Sequence, residues 1–124
     1  MDKLLSGRRV LVVEDEMLIL LMTEGMLADL GCESVTAAAT VDQALALIDA
    51  QIFDAAILDM DLSGNKSHAV ADALAARGVP FVFATGHSGV MRLGDRDRPV
   101  LKKPFQFEKL VEIFTQLLSR PAIP

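Results

Sequence analysis

Six polar residues stand at or just behind the ends of short apolar runs: Glu14 and Asp15 after residues 10–13, Asp59 and Asp61 after 55–58, Thr85 after 79–84, and Lys103 after 99–101. Carboxylates brought together repel one another and lose hydration, so such a group either raises its own pKa values or holds a hard cation. Mg²⁺ (or Mn²⁺) would relieve that repulsion. A lysine directly before Pro104 and a hydroxyl at Thr85 add donors suited to phosphoryl oxygens. Jointly these residue types can handle a phosphoryl group with the help of a metal. Singly, each acid is as good a helix N-cap as a ligand, so the chemical reading rests on their sharing one place.

Sharing one place requires a fold that brings the run ends to a common edge. The apolar runs at 10–13, 55–58 and 79–84, with weaker ones at 34–38 and 99–101, read as five short strands. Helical spacing fills the gaps. Val41, Ala44, Leu45 and Ile48 follow a Thr40-x-x-Gln43 capping box, and Phe107, Leu110, Val111, Phe114, Leu117 and Leu118 fall on one helical face. Gly31 and Gly78 stand where the first and third helices should stop. Short strands joined by helical crossovers run parallel and are covered on both faces, and ligands of such sheets sit at the carboxyl ends of the strands. That edge collects all six polar residues.

A length of 124 residues and an apolar share of 52% suit a single domain spanning 1–124, with a core of about 7–119 and frayed ends at 1–6 and 120–124. The net charge of -5, with both signs mixed along the chain, gives no support to direct nucleic-acid binding. Cys32 is the single cysteine and cannot form an internal disulfide, and the chain opens on no signal-peptide pattern, which fits a reducing cytoplasm. The apolar run 17–22 falls far short of the roughly 20 residues a membrane span needs, so no membrane insertion is expected. Those six apolar residues exceed one buried face. Most are expected against the sheet and some exposed for docking.

In order and over nearly the whole chain, Glu14-Asp15, Asp59, Thr85 and Lys103-Pro104-Phe105 resemble the signature of response regulator receiver domains. The resemblance implies a flavodoxin-like (βα)5 three-layer α/β sandwich with a five-stranded parallel sheet. It implies that Asp59 is the phosphoacceptor, that Glu14 and Asp15 are the acidic pair with Asp15 a direct Mg²⁺ ligand, and that Asp61 lends its backbone carbonyl to the metal. It implies Thr85 and Lys103 as the residues that contact the phosphoryl group. The donor would be a histidine kinase or a histidine phosphotransfer protein, and the output a downstream protein partner. Such a chain is a bacterial two-component signalling module rather than an enzyme with turnover, and here it would stand alone without an effector domain.

The segment Pro80-Phe81-Val82-Phe83-Ala84-Thr85-Gly86 is also similar to single-domain receivers with a Phe-Ala-Thr-Gly-aromatic motif, some of which act in stress signalling. His87 stands where that motif has its aromatic residue, and Val100 stands where many receivers have a switch Tyr or Phe. His87 is either a plain loop residue or one placed over the phosphoryl group. The stretch between Thr85 and Lys103 is about one helical turn shorter than usual for the family, so its helix, the fourth, is expected to be short or irregular. His68, in the loop entering the third helix, and Lys102 read as solvated surface residues.

Two rival readings remain. Asp59-Met60-Asp61 resembles the DxD of haloacid-dehalogenase-like phosphatases, although that family carries it on the opening strand. A receiver-like binding module that signals without phosphorylation is the other.

Overall fold

The computed structural model describes residues 3–62, 65–86 and 98–119. Its elements run β1 (Arg9–Val13), α1 (Met17–Asp29), β2 (Ser34–Ala38), α2 (Val41–Ala50), β3 (Ala55–Asp59), β4 (Asp61–Leu62), β5 (Asn65–Lys66), α3 (His68–Ala76), β6 (Phe81–Thr85), β7 (Val100–Lys102) and α4 (Phe107–Ser119). Five strands form one sheet in the order β2-β1-β3-β6-β7, every pairing parallel. This is the flavodoxin-like α/β fold expected. The chain leaves β1 toward β2 and returns to the other side at β3, so the strand order reverses between β1 and β3. A crevice at that point is the ligand position of open parallel sheets.

Alternation along the strands builds the two faces, because successive side chains point to opposite sides. Val10, Val12, Ala55, Ile57, Val82, Ala84 and Leu101 pack with Leu27 of α1 and with Leu110, Ile113, Phe114 and Leu117 of α4. Leu11, Val13, Ala56, Leu58, Phe81 and Phe83 pack with Ala44 and Ile48 of α2 and Val70, Ala71 and Leu74 of α3. Both faces are covered, which is why the strands read as continuous apolar runs.

The helix punctuation follows local chemistry. The Thr40 hydroxyl accepts the Gln43 N–H at 3.1 Å, and the Gln43 side chain reaches back to the Ala39 N–H at 2.8 Å, one residue earlier than a capping box places it. α1 ends on Gly31 at φ 85, where the Cys32 N–H bonds to the Leu27 carbonyl and the Gly31 N–H to Ala28. α3 ends the same way on Gly78. Both ends are Schellman motifs. At Gly31 a Cβ would also lie 2.8 Å from Lys3 Cβ, so any other residue would both strain the backbone and push Lys3 aside.

Several expectations need correction. The segment before β1 is not frayed from residue 3 onward: Leu5 is fully buried, its N–H bonds to the Leu30 carbonyl, and Ser6 bridges to Cys32. In α4 it is Ile113 that is buried, while Phe107 at the helix start is exposed. His68 is the half-buried first residue of α3 rather than a solvated loop residue. A short antiparallel hairpin, β4 with β5, interrupts the β3 to α3 connection and was not signalled by alternation, being only two residues per strand. Most of the run 17–22 is turned outward: Met17, Leu18, Leu21 and Met22 are exposed, Leu18 at 77%, and only Ile19 and Leu20 are partly covered. The expected short or irregular fourth helix lies outside the described residues. Among those described, no helix is long and apolar enough to cross a membrane.

Candidate functional site

At the carboxyl edge of the sheet, parallel hydrogen bonding runs one residue past the strand ends and sets the site residues in place. The Glu14 N–H bonds to the Ala38 carbonyl at 2.9 Å, Met60 to Ala84 at 3.0 Å and Lys103 to Thr85 at 2.9 Å. Glu14 thus continues β1, Asp59 ends β3, Thr85 ends β6 in register with Lys102, and Lys103 follows β7. The peptide between Lys103 and Pro104 is cis.

Glu14, Asp15 and Asp59 each present a carboxylate oxygen, and the three oxygens lie within 4.8 Å of one another. Glu14 and Asp59 are buried at the reversal point between β1 and β3, while Asp15 is the more open of the three. Lys103 enters from the far side. Its Nζ is 2.7 Å from Glu14 Oε1 and 3.1 Å from Asp59 Oδ2, with all three side chains at most 7% exposed. Burial by itself lowers the ammonium pKa. The hydrogen bonds and charges of Glu14 and Asp59 outweigh it, so Lys103 stands above its usual 10.5 and remains protonated. Glu14 and Asp59 therefore share the Lys103 ammonium in a partly desolvated crevice, with the Asp15 carboxylate beside them. An all-oxygen, anionic donor set of this kind fits a hard divalent cation such as Mg²⁺, with Glu14, Asp15 and Asp59 the residues able to hold it.

The structure brings together Glu14, Asp15, Asp59 and Lys103, with Thr85 half-buried on the strand beside Asp59. Asp61 has its backbone in the hairpin that follows β3, paired with Lys66. His87 lies outside the described residues. Val100 is exposed at the start of β7, opposite Phe83, and Lys102 is exposed as expected.

Sequence reasoning passed over Glu16. Its backbone N–H donates to Glu14 Oε2 at 3.1 Å, and its carboxylate lies 3.8 Å from Lys103 Nζ although the side chain is 64% exposed. A signal was present, since Glu16 occupies the N-cap of α1, where Ser, Thr, Asp or Asn serves better, and its side chain makes no cap bond.

Residues 10–115 match the response regulator receiver domain. The chain belongs to that family. The solution structure of SdrG from Sphingomonas melonis Fr1 is 45% identical, with 93% of this receiver and 98% of SdrG aligned at a TM-score of 0.82. SdrG has also been solved in a BeF3-activated conformation, which is 46% identical over 91% of this chain and 98% of that one, with a TM-score of 0.79. The receiver domain of the sensor histidine kinase PA1611 from Pseudomonas aeruginosa PAO1, solved with a magnesium ion coordinated in its active-site cleft, is 27% identical over 93% of this chain and 100% of that one, with a TM-score of 0.77. The PhyR stress response regulator is 30% identical over 90% of this chain and 45% of that one, also with a TM-score of 0.77. Among curated proteins, none matches the sequence.

Proposed function

We propose that this receiver domain takes a phosphoryl group from a phosphohistidine onto Asp59 and signals by changing its affinity for a separate protein. The observation that carries the reading is Lys103 Nζ held between Glu14 and Asp59, beside three carboxylate oxygens within 4.8 Å of one another. An Asp59 carboxylate oxygen attacks phosphorus in line, the P–N bond breaks, and the imidazole leaves as its neutral form after protonation. Lys103, already at 3.1 Å from Asp59, is placed to follow the charge onto a phosphoryl oxygen. Glu14, Asp15 and Asp59, with the Asp61 carbonyl, would hold Mg²⁺, which when bound offsets negative charge on the phosphoryl oxygens. The domain is consumed as an acceptor and is not a turnover enzyme in this reading.

Thr85 supplies the hydroxyl that reports phosphorylation, at the end of the strand beside Asp59. Val100 has no ring and no hydroxyl, so the message passes through Thr85 and the loop after it. The exposed apolar stripe of Met17, Leu18, Leu21 and Met22 adjoins the acidic crevice and is suited to docking a kinase or phosphotransfer helix. The likeness to SdrG and PhyR, together with Phe83-Ala84-Thr85-Gly86, supports a place in the Phe-Ala-Thr-Gly subgroup and an output in stress signalling, with His87 in place of the aromatic residue.

The test is intact-mass analysis after incubation with acetyl phosphate and Mg²⁺. One phosphoryl adduct on the wild type, absent in Asp59→Asn, is expected. A full adduct on Asp59→Asn at another residue overturns the assignment.

A further inference from the structure

The outer face of α1 carries a glycine that nothing inside the chain requires. Gly25 stands in mid-helix, where glycine weakens a helix relative to alanine, and a Cβ built on it meets nothing within 4 Å. It is exposed and its backbone is not left-handed, so neither close packing within the chain nor a turn accounts for it. About two turns earlier, on the same line of the helix, Leu18 is the most exposed residue of the apolar stripe at 77%. Leu21 and Met22 lie between the two, each about half exposed. The face thus presents a knob, two further apolar side chains and a notch, while the opposite side of α1 is already seated inward through buried Thr23 and Leu27.

That order is complementary to itself. A two-fold axis passing between positions 21 and 22 runs a second α1 antiparallel to the first, brings Leu18 of each copy over Gly25 of the other and sets Leu21 against Met22. The missing Cβ lets the two backbones approach closely there. Helices packed in this way cross rather than run alongside one another, so about two turns of each are in contact and the acids toward either end, Glu16 and Asp29, stay in water. An apolar patch on the order of 400 Å² is large enough to mark a contact. It is about half of the roughly 800 Å² per partner of a stable interface, so the pair is weak and dissociates readily.

We propose that two copies of this domain associate weakly through α1, Leu18 of each filling the space over Gly25 of the other. No part of the contact involves Asp59. The same face cannot hold a second copy and a donor helix together, so the two compete for it.

The test is sedimentation equilibrium of the full chain at about 0.02–1 mM, the range in which so small an interface is populated. Wild type should pass from the 13.4 kDa of one chain toward twice that mass. Leu18→Glu leaves its charge in water in the single chain but buries it in the pair, and should lower the association constant about tenfold or more. Gly25→Gln fills the notch and should weaken association as much, while raising the thermal midpoint of the dilute chain by about 3 °C, a rise that damage to α1 would not give. Ile52→Glu, at an apolar residue 79% exposed beyond the end of α2, should leave association unchanged. In a Cys32→Ser background, equal amounts of Leu18→Cys and Gly25→Cys chains, mixed and oxidised, should give mainly the mixed disulfide dimer. A wild type that keeps the mass of one chain throughout that range overturns the proposal and leaves the face to a different protein. Association indifferent to Leu18→Glu and Gly25→Gln, or disulfides formed in statistical proportion, overturns it as well.

Discussion

The two ends of the central sheet carry similar charged groups and handle them in opposite ways. At the amino edge, Asp54 accepts the Arg9 N–H at 2.8 Å and lies 3.9 Å from Arg8, Arg9 also donates to Gln51 Oε1, and Arg77 pairs with Asp49 at 2.8 Å. These acids have partners of opposite charge and side chains at least a third exposed. At the carboxyl edge, Glu14 and Asp59 both reach the ammonium of Lys103, which is buried with them, and the Asp15 carboxylate crowds against the pair. Water screens the first arrangement and can reach every group. It cannot do so in the second, where three carboxylate oxygens within 4.8 Å of one another form a donor set for a cation. Chemistry is expected where carboxylates are crowded and buried, and ordinary structural pairing where charges are spread out and wet.

The largest effect that sharpens this contrast is loss of Lys103. Lys103→Met leaves Glu14 and Asp59 buried without their cation and should cost about 3–5 kcal/mol by urea denaturation at neutral pH without divalent metal. If it costs no more than a change at the amino edge, the account of the crevice is wrong. The pH dependence has a fixed sign. Because the folded-state pKa of Lys103 is raised, its contribution is complete below 10.5 and is lost only as pH climbs above that toward the raised value. The difference between wild type and Lys103→Met should therefore be flat from pH 7 to 10 and narrow beyond it.

Next in size is the response to Mg²⁺. At 100 times its dissociation constant the ion should add about 2.7 kcal/mol to wild-type stability, seen as a rise in thermal midpoint. Asp15→Asn should abolish the increment, and Asp54→Asn at the other edge should keep it. An undiminished response in Asp15→Asn breaks the comparison. Smaller still, Asp54→Ala removes one charged acceptor from a half-buried backbone N–H and should cost about 1 kcal/mol in the same denaturation assay. The smallest effect is expected at Arg77→Ala, whose pair with the 85% exposed Asp49 should be worth at most about 0.5 kcal/mol.

The sequence alone determined what depends on near neighbours. Apolar runs became strands because five consecutive residues buried on alternate faces leave no polar position. Thr40 with Gln43, and Gly31 and Gly78, punctuate helices through bonds only a few residues long. The order of acidic, hydroxyl and lysine residues at the run ends was enough to name Glu14, Asp15, Asp59, Thr85 and Lys103 and to imply the family. What the tertiary structure decided lies where the sequence carries no contrast. Residues 17–22 are all apolar, so their spacing cannot say which side of α1 faces the sheet; buried Thr23 and Leu27, one and two turns on, set the phase and turn Met17, Leu18, Leu21 and Met22 outward. Phe107 and Ile113 are equally apolar, and only the seat of α4 on the sheet chose Ile113 for the core. Glu16 belongs to the site because β7 brings Lys103 across the sheet to within 3.8 Å, a distance set by the pairing of strands far apart in sequence. Local bonds are written in local order, whereas helix phase and long-range charge contacts exist only once the layers have packed.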